Sequence, residues 1–262
     1  NTLASLRRAL ELGLDGVEYD VRACASGDPV LFHDATLRRT TGMAGSVGDV
    51  DLRELYALDA GGWFSKRFYG EQVPILDEAL GLTSERREDP PFHMIELKEP
   101  GLVEPLAQLL AERRPPVRCR VASFRRDVVL EARDLRLPTM LLGVLANEDD
   151  RRFVRDERID AYSVGPGGWR TEAAAADWSF TECWAWAIDD PVELLELCRR
   201  PLFGLNTNEP YRALAARALA RMQPTSDHPY PIAAPELFIE PETLAAPERG
   251  EWFGSWETSA EI

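Results

Sequence analysis

Residues 15–34 read DGVEYDVRACASGDPVLFHD, with Glu18 and Asp20 two positions apart in an apolar run and His33 closing a second apolar run beside Asp34. Alternate residues of a strand share a face, so Gly16, Glu18 and Asp20 point one way while Val17, Tyr19 and Val21 point the other. The run HMIELK at 93–98 repeats that parity, with Ile95 and Leu97 on one face and Met94, Glu96 and Lys98 on the opposite one. Three carboxylates around a small space cannot all stay ionised without compensation. A hard divalent cation resolves the conflict, and carboxylate oxygens suit Mg2+ or Ca2+, with Mn2+ as a further candidate, over a thiolate-seeking metal. A histidine side chain titrates near neutral pH, at about 6.5 when unperturbed, so a residue of this type at 33 can pass a proton to a leaving alkoxide while Asp34 orients it. Taken singly, a Glu-x-Asp on a strand is more often a solvated edge, and a lone histidine more often a surface or core residue. The matching parity of Glu96 and Lys98 on a neighbouring strand tips the balance toward chemistry. His93, which opens an apolar strand, and His228 read as structural.

The elements that must carry these side chains alternate along the chain. Leu3, Leu6, Ala9, Leu10 and Leu12 recur at helical spacing between a Thr2 cap and Gly13, which predicts a helix leading into the strand at 16–21. Further strands are predicted at 93–98, 119–124, 139–145, 161–164, 182–188 and 202–207, separated by helices at 76–80, 102–114, 126–133, 148–158, 171–176, 191–200 and 210–222. Continuous strand–helix alternation indicates α/β architecture with a parallel sheet, and its regular spacing favours a (β/α)8 TIM barrel over an open sheet. Seven strands leave one barrel position unfilled. Because the chain opens on a helix, the missing first strand is expected ahead of Asn1. Residues 1–222 read as one barrel domain, in which 35–75 are too long for a barrel connection and form an inserted loop or subdomain with a short helix near 51–57. Residues 223–262 hold six prolines and eight acidic residues against Arg249 alone. They read as an acidic C-terminal tail, either extended or strapped down by Phe238, Trp252, Phe253 and Trp256.

Composition narrows the partners. The 45 acidic residues outnumber 30 basic ones, a net charge of −15 that repels nucleic acid and anionic membranes. A phosphate ligand therefore needs a local cation, and a small molecule is the expected partner. Cys24, Cys119, Cys183 and Cys198 lack CxxC spacing and read as reduced thiols. No membrane-spanning run or leader is visible, so the expected location is cytoplasmic.

Several segments together resemble the glycerophosphodiester phosphodiesterase family: residues 1–42, GWFSKRFYGEQVPILDEAL at 62–80, IELKEPG at 95–101, SF at 123–124, WAWAIDDP at 184–191 and GLNTNEP at 204–210. The resemblance implies a TIM barrel that hydrolyses phosphodiesters of glycerol to glycerol 3-phosphate and an alcohol, with a divalent metal and two histidines. By position, Glu18, Asp20 and Glu96 correspond to metal ligands, His33 to one catalytic histidine, Lys98 to a phosphate contact and Trp186 to the tryptophan against the glycerol. Residues 35–75 correspond to the family's insertion, expected over the site.

The chain also departs from the pattern. The family's His-Arg-Gly strand end and Pro-Glu-Asn-Thr motif are represented only by Asn1 and Thr2, so the second histidine and its arginine are absent and impaired turnover is expected of the chain as given. Leu205-Asn206 replaces an apolar-acidic-glycine sequence, and Ala187 and Asp189 depart from Trp-Thr-Val-Asn. Two rival readings exist. One is a catalytically silent barrel that binds phosphorylated ligands or a protein partner. The other is a carboxylate barrel of the enolase sort, which Glu18 and Asp20 on a single strand disfavour.

Overall fold

The alternating run at 16–21 forms a strand, β1 (Gly16–Ala23), in a computed structural model that describes residues 1–83, 90–114, 116–222 and 236–239. Helix α1 (Leu3–Glu11) delivers the chain to it, its first turn capped by Thr2 Oγ1, which accepts the Ser5 N–H at 3.3 Å. Gly13, at φ +83°, supplies the left-handed turn that follows. After β1 the chain doubles back as a short antiparallel strand, β2 (Pro29–Leu31), which is too short to show a period in the sequence. Residues 35–75 then carry α2 (Arg38–Thr41), two 3-10 turns and α3 (Leu52–Tyr56), which begins with a capping box between Asp51 and Glu54. Their buried side chains, among them Leu37, Val47, Val50, Leu55 and Val73, share a small core with Val30 and Phe32 around β2.

From α4 (Leu76–Leu80) onward the alternation is regular: β3 (Phe92–Leu97), α5 (Val103–Glu112), β4 (Arg118–Ser123), α6 (Arg126–Asp134), β5 (Thr139–Gly143) and α7 (Glu148–Asp156). It continues through β6 (Ala161–Val164), β7 (Glu182–Ala185), α8 (Pro191–Leu197), β8 (Gly204–Thr207), α9 (Pro210–Met222) and β9 (Glu236–Ile239). The helix expected at 171–176 is a 3-10 turn, Glu172–Ala175. Strands β1 and β3 to β9 are joined in parallel in that order, and β9 pairs with β1 as well as β8, so the sheet curls back on itself. The position between β8 and β1, where the sequence leaves one strand unfilled, is thus taken by residues 236–239, which the sequence assigns to the tail. The five residues between Pro235 and Pro241, four of which form β9, give no strand signal of their own. Of the aromatic residues expected to strap the tail, Phe238 lies on β9, whereas Trp252, Phe253, Trp256 and also His228 lie outside the described residues.

Two apolar layers follow from strand parity. Val17, Tyr19, Val21, Ile95, Leu97 and Val121 face out and share one core with side chains of the helices, including Leu6, Leu10, Leu106 and Val129. Phe92, Met94, Ala122, Met140, Leu142, Ala161 and Trp184 face in and fill the lumen. Trp184 lies so close over Gly204 that a Cβ there would fall 2.1 Å from its ring, so the lumen requires glycine at that point. All four cysteines are free thiols. Among the described residues, no helix is long and apolar enough to cross a membrane.

Candidate active site

The register between β1 and β3 sets Glu18 beside Met94 and Asp20 beside Glu96. This register, with the shared inward parity of both strands, brings the three acids together. Glu18, Asp20 and Glu96 are 5%, 4% and 8% exposed, and each offers an oxygen within 4.8 Å of those of the other two. Lys98, one inward position beyond Glu96, places Nζ 2.6 Å from both Asp20 Oδ1 and Glu96 Oε1. Asn1 closes the other side of Asp20: its Nδ2 donates to Asp20 Oδ2 and its Oδ1 accepts the Asp20 N–H, both at 2.8 Å.

Burial pulls on these groups in one direction and their partners in the other. For Asp20 the penalty of burial is outweighed by Lys98, His33 and Asn1, and the carboxyl is held below its ordinary range. Glu96 goes the opposite way, to about 7, because burial and the neighbouring Asp20 charge together exceed what Lys98 returns. Lys98 is itself raised: burial would lower it, but the two carboxylates prevail. Three carboxylates against one ammonium leave a formal charge of −2, and the elevated Glu96 is the mark of negative charge still uncompensated. The donor set therefore fits a divalent, oxygen-seeking cation.

His33 follows β2, with half of its side chain exposed. Its Nδ1 lies 2.7 Å from Asp34 Oδ1, and Arg39 grips Asp34 through Nε and Nη2 at 2.8 Å each. Arg39, with help from His33 and against the penalty of burial, holds Asp34 down at about 2, so it is an anion throughout the neutral range. His33 and the acidic cluster line one cavity of about 150 Å3, together with Lys98, Met94, Phe124, Leu142, Trp186 and Asn206. Trp186 is fixed by an Nε1–H bond of 3.2 Å to the Gly143 carbonyl and by edge contact with Phe124 at 5.2 Å.

All six residues singled out from the sequence, Glu18, Asp20, His33, Glu96, Lys98 and Trp186, thus border a single cavity. The aromatic that packs the lumen is Trp184, and Trp186, two residues on along the same face, stands at its mouth. His93 faces the helices instead, with Nδ1 3.1 Å from the Tyr19 hydroxyl. Asn1, Phe124 and Asn206 were not recognised as site residues. Asn206 shares the parity of Gly204, which was the available signal. Asn1 stood out only as a remnant of the Pro-Glu-Asn-Thr motif, because its contact with Asp20 depends on where α1 begins relative to β1.

A sequence model of the glycerophosphoryl diester phosphodiesterase family matches residues 1–210. The glycerophosphodiester phosphodiesterase of Caldanaerobacter subterraneus subsp. tengcongensis is 30% identical over 223 residues, covering 80% of this chain and 88% of the relative. That of Bacillus altitudinis is 34% identical over 151 residues, 55% of this chain and 60% of its own length. Among solved structures, an Oleispira antarctica phosphodiesterase in complex with the product sn-glycerol-3-phosphate superimposes with a TM-score of 0.73 at 24% identity, over 83% of this chain and 91% of that one. The match of fold, of most of the chain's length and of sequence places this chain in the glycerophosphoryl diester phosphodiesterase family.

Proposed function

We propose that the chain hydrolyses glycerophosphodiesters to glycerol 3-phosphate and an alcohol, with Glu18, Asp20 and Glu96 holding a divalent cation and His33 moving the proton. The observation that carries this reading is the convergence of three buried carboxylates, an ammonium and an imidazole on one cavity. The relatives named glycerophosphodiester phosphodiesterases and the product bound in the Oleispira structure support the same substrate class.

A divalent cation held there supplies Lewis-acid stabilisation of charge on the phosphoryl oxygens. The chain's own residues do the rest. Lys98 adds a fixed positive charge beside the phosphate position, kept protonated by Asp20 and Glu96. Asp34 engages His33 at Nδ1, so a proton reaches the leaving oxygen through Nε2, and the anionic Asp34 stabilises the imidazolium. Arg39 fixes Asp34 in turn. Trp186 offers a flat apolar face for the glycerol carbons.

Release of glycerol 3-phosphate from glycerophosphocholine with Mg2+ or Ca2+ tests the proposal. It is measured on the chain as it stands and on a form carrying a strand ending in His-Arg-Gly ahead of Asn1, a strand that must displace β9 to pair between β8 and β1. The extended form is expected to turn over faster, and His33→Ala to lower its rate by about 10²–10⁴-fold. An extended form that binds the cation yet releases no glycerol 3-phosphate would leave the barrel as a binder of phosphorylated ligands.

A further inference from the structure

Asn206 occupies the inward position on β8 two residues beyond Gly204, and it is 1% exposed. It faces the same cavity as Glu18, Glu96, Lys98 and Trp186. Its Nδ2 donates to Met94 Sδ at 3.1 Å, a weak acceptor. Its Oδ1 is buried and accepts no hydrogen bond from any described residue. Buried amide oxygens are nearly always paired, because leaving one unpaired forfeits its hydration for nothing in return. The inward positions around it on other strands are filled by Met94, Ala122 and Leu142, so an apolar side chain would serve packing equally well at no such cost. The carboxamide is therefore accounted for by a ligand of the cavity; three carboxylates already supply oxygens for a cation, which leaves the neutral amide to a ligand that brings a donor hydrogen.

The chemistry of the ligand narrows that donor. A phosphodiester carries acceptor oxygens and no donor hydrogen, and ionised carboxylates are acceptors only. Glycerol is the part common to all glycerophosphodiesters, and in glycerophosphocholine its two free hydroxyls are the sole donor hydrogens. Taking the substrate class from the reading above, we infer that Asn206 is a specificity-determining residue whose Oδ1 accepts a hydrogen bond from a glycerol hydroxyl seated against Trp186. Under this assignment the cavity selects phosphates of polyols over phosphates of simple alcohols, because a ligand lacking the hydroxyl leaves the amide oxygen unpaired in the complex.

The test is calorimetric titration of the wild-type chain and Asn206→Leu with sn-glycerol 3-phosphate and with ethyl phosphate, each in the presence of Mg2+. Asn206→Leu is expected to weaken glycerol 3-phosphate about tenfold while leaving ethyl phosphate within about twofold, the effect of one neutral hydrogen bond. Asn206→Ala, titrated alongside with melting curves for all forms, gives the same comparison if leucine overfills the site. An equal loss on both ligands would put the amide on the cation or, through its N–H, on the phosphate, and no loss on either would reduce it to packing; all of these overturn the assignment. The outcome is separate from that of hydrolysis: a retained preference for glycerol 3-phosphate without turnover of glycerophosphocholine counts against the proposed reaction and leaves Asn206 in place.

Discussion

The floor and the mouth of the barrel are built from the same strands and the same inward parity, yet they differ in every chemical respect. Phe92, Met94 and Trp184 close the floor with apolar contacts, Trp184 lying 5.5 Å from Phe92 and 5.2 Å from Phe203 between ring centroids. A few residues further along, Glu96, Lys98 and Trp186 surround a cavity with buried charge. Direction across the sheet thus comes from parity, whereas chemistry comes from height along the strand. The floor pays for nothing but stability, and its packing lets the mouth keep charges that would not hold a fold together by themselves.

If that division is real, variants at the two heights should fail in different ways. Trp184→Ala empties the floor above Gly204 and is expected to lower unfolding stability by about 3–5 kcal/mol in urea titration; a small loss would mean the lumen can collapse. His33→Ala, at the mouth, should reduce turnover of glycerophosphocholine by about 10²–10⁴-fold with a melting curve close to wild type. Should the melt fall as steeply as for Trp184→Ala, the two regions are not energetically separate.

A pH series sharpens the contrast. His93, outside the barrel wall, is lowered to about 4 by burial and by Arg113. The unfolded chain takes up that proton first, so its contribution to stability is complete above about 6.5 and is lost as pH falls toward 4, by about 3 kcal/mol in all. Glu96 acts in the opposite sense. Raised to about 7, it binds a proton more tightly in the folded state, so stability rises as pH falls from 7 toward its ordinary range. In chelator-treated protein the two limbs offset each other, and His93→Asn should expose the Glu96 limb as a gain in stability on acidification. A flat profile in that variant would argue that Glu96 is not the proton-holding member of the cluster.

The smallest effect concerns the cation. Saturating Mg2+, at about a hundred times its dissociation constant, should stabilise the chain by about 2.7 kcal/mol, read as a rise in melting temperature that chelation reverses. Glu18→Gln should abolish that rise, and Trp184→Phe should keep it.

Much of this division was legible beforehand. Strand parity at 16–21 and 93–98 identified the inward acids, because a two-residue period survives whatever packs around it. Their convergence also needed the pairing of β1 with β3, and alternation alone implied that neighbourhood. What escaped were features with no period of their own. β2 and β9 are three and four residues long, so neither displays an alternation that a loop could not. Asn206 looked like a departure from a motif because its meaning lies in the unpaired oxygen, a property of surroundings drawn from several strands. Asp34 was recognisable as a partner for His33 by adjacency, but the Arg39 clamp behind it depends on the turn into α2.

The six-rung ladder from Gly16–Phe92 to Val21–Leu97 acts as a mechanical index for the whole centre. Along its other edge β1 is held piecemeal, by β9 at Gly16 and Val17, by the Asn1 side chain at Asp20 and by β2 from Val21 to Ala23. A slip of one rung would rotate Glu18 and Asp20 into the greasy layer under α1 and bring Val17 and Tyr19 round to face Lys98. The alignment of the centre is therefore written chiefly into the one continuous ladder, and mutations that loosen β3 should detune it before they melt it.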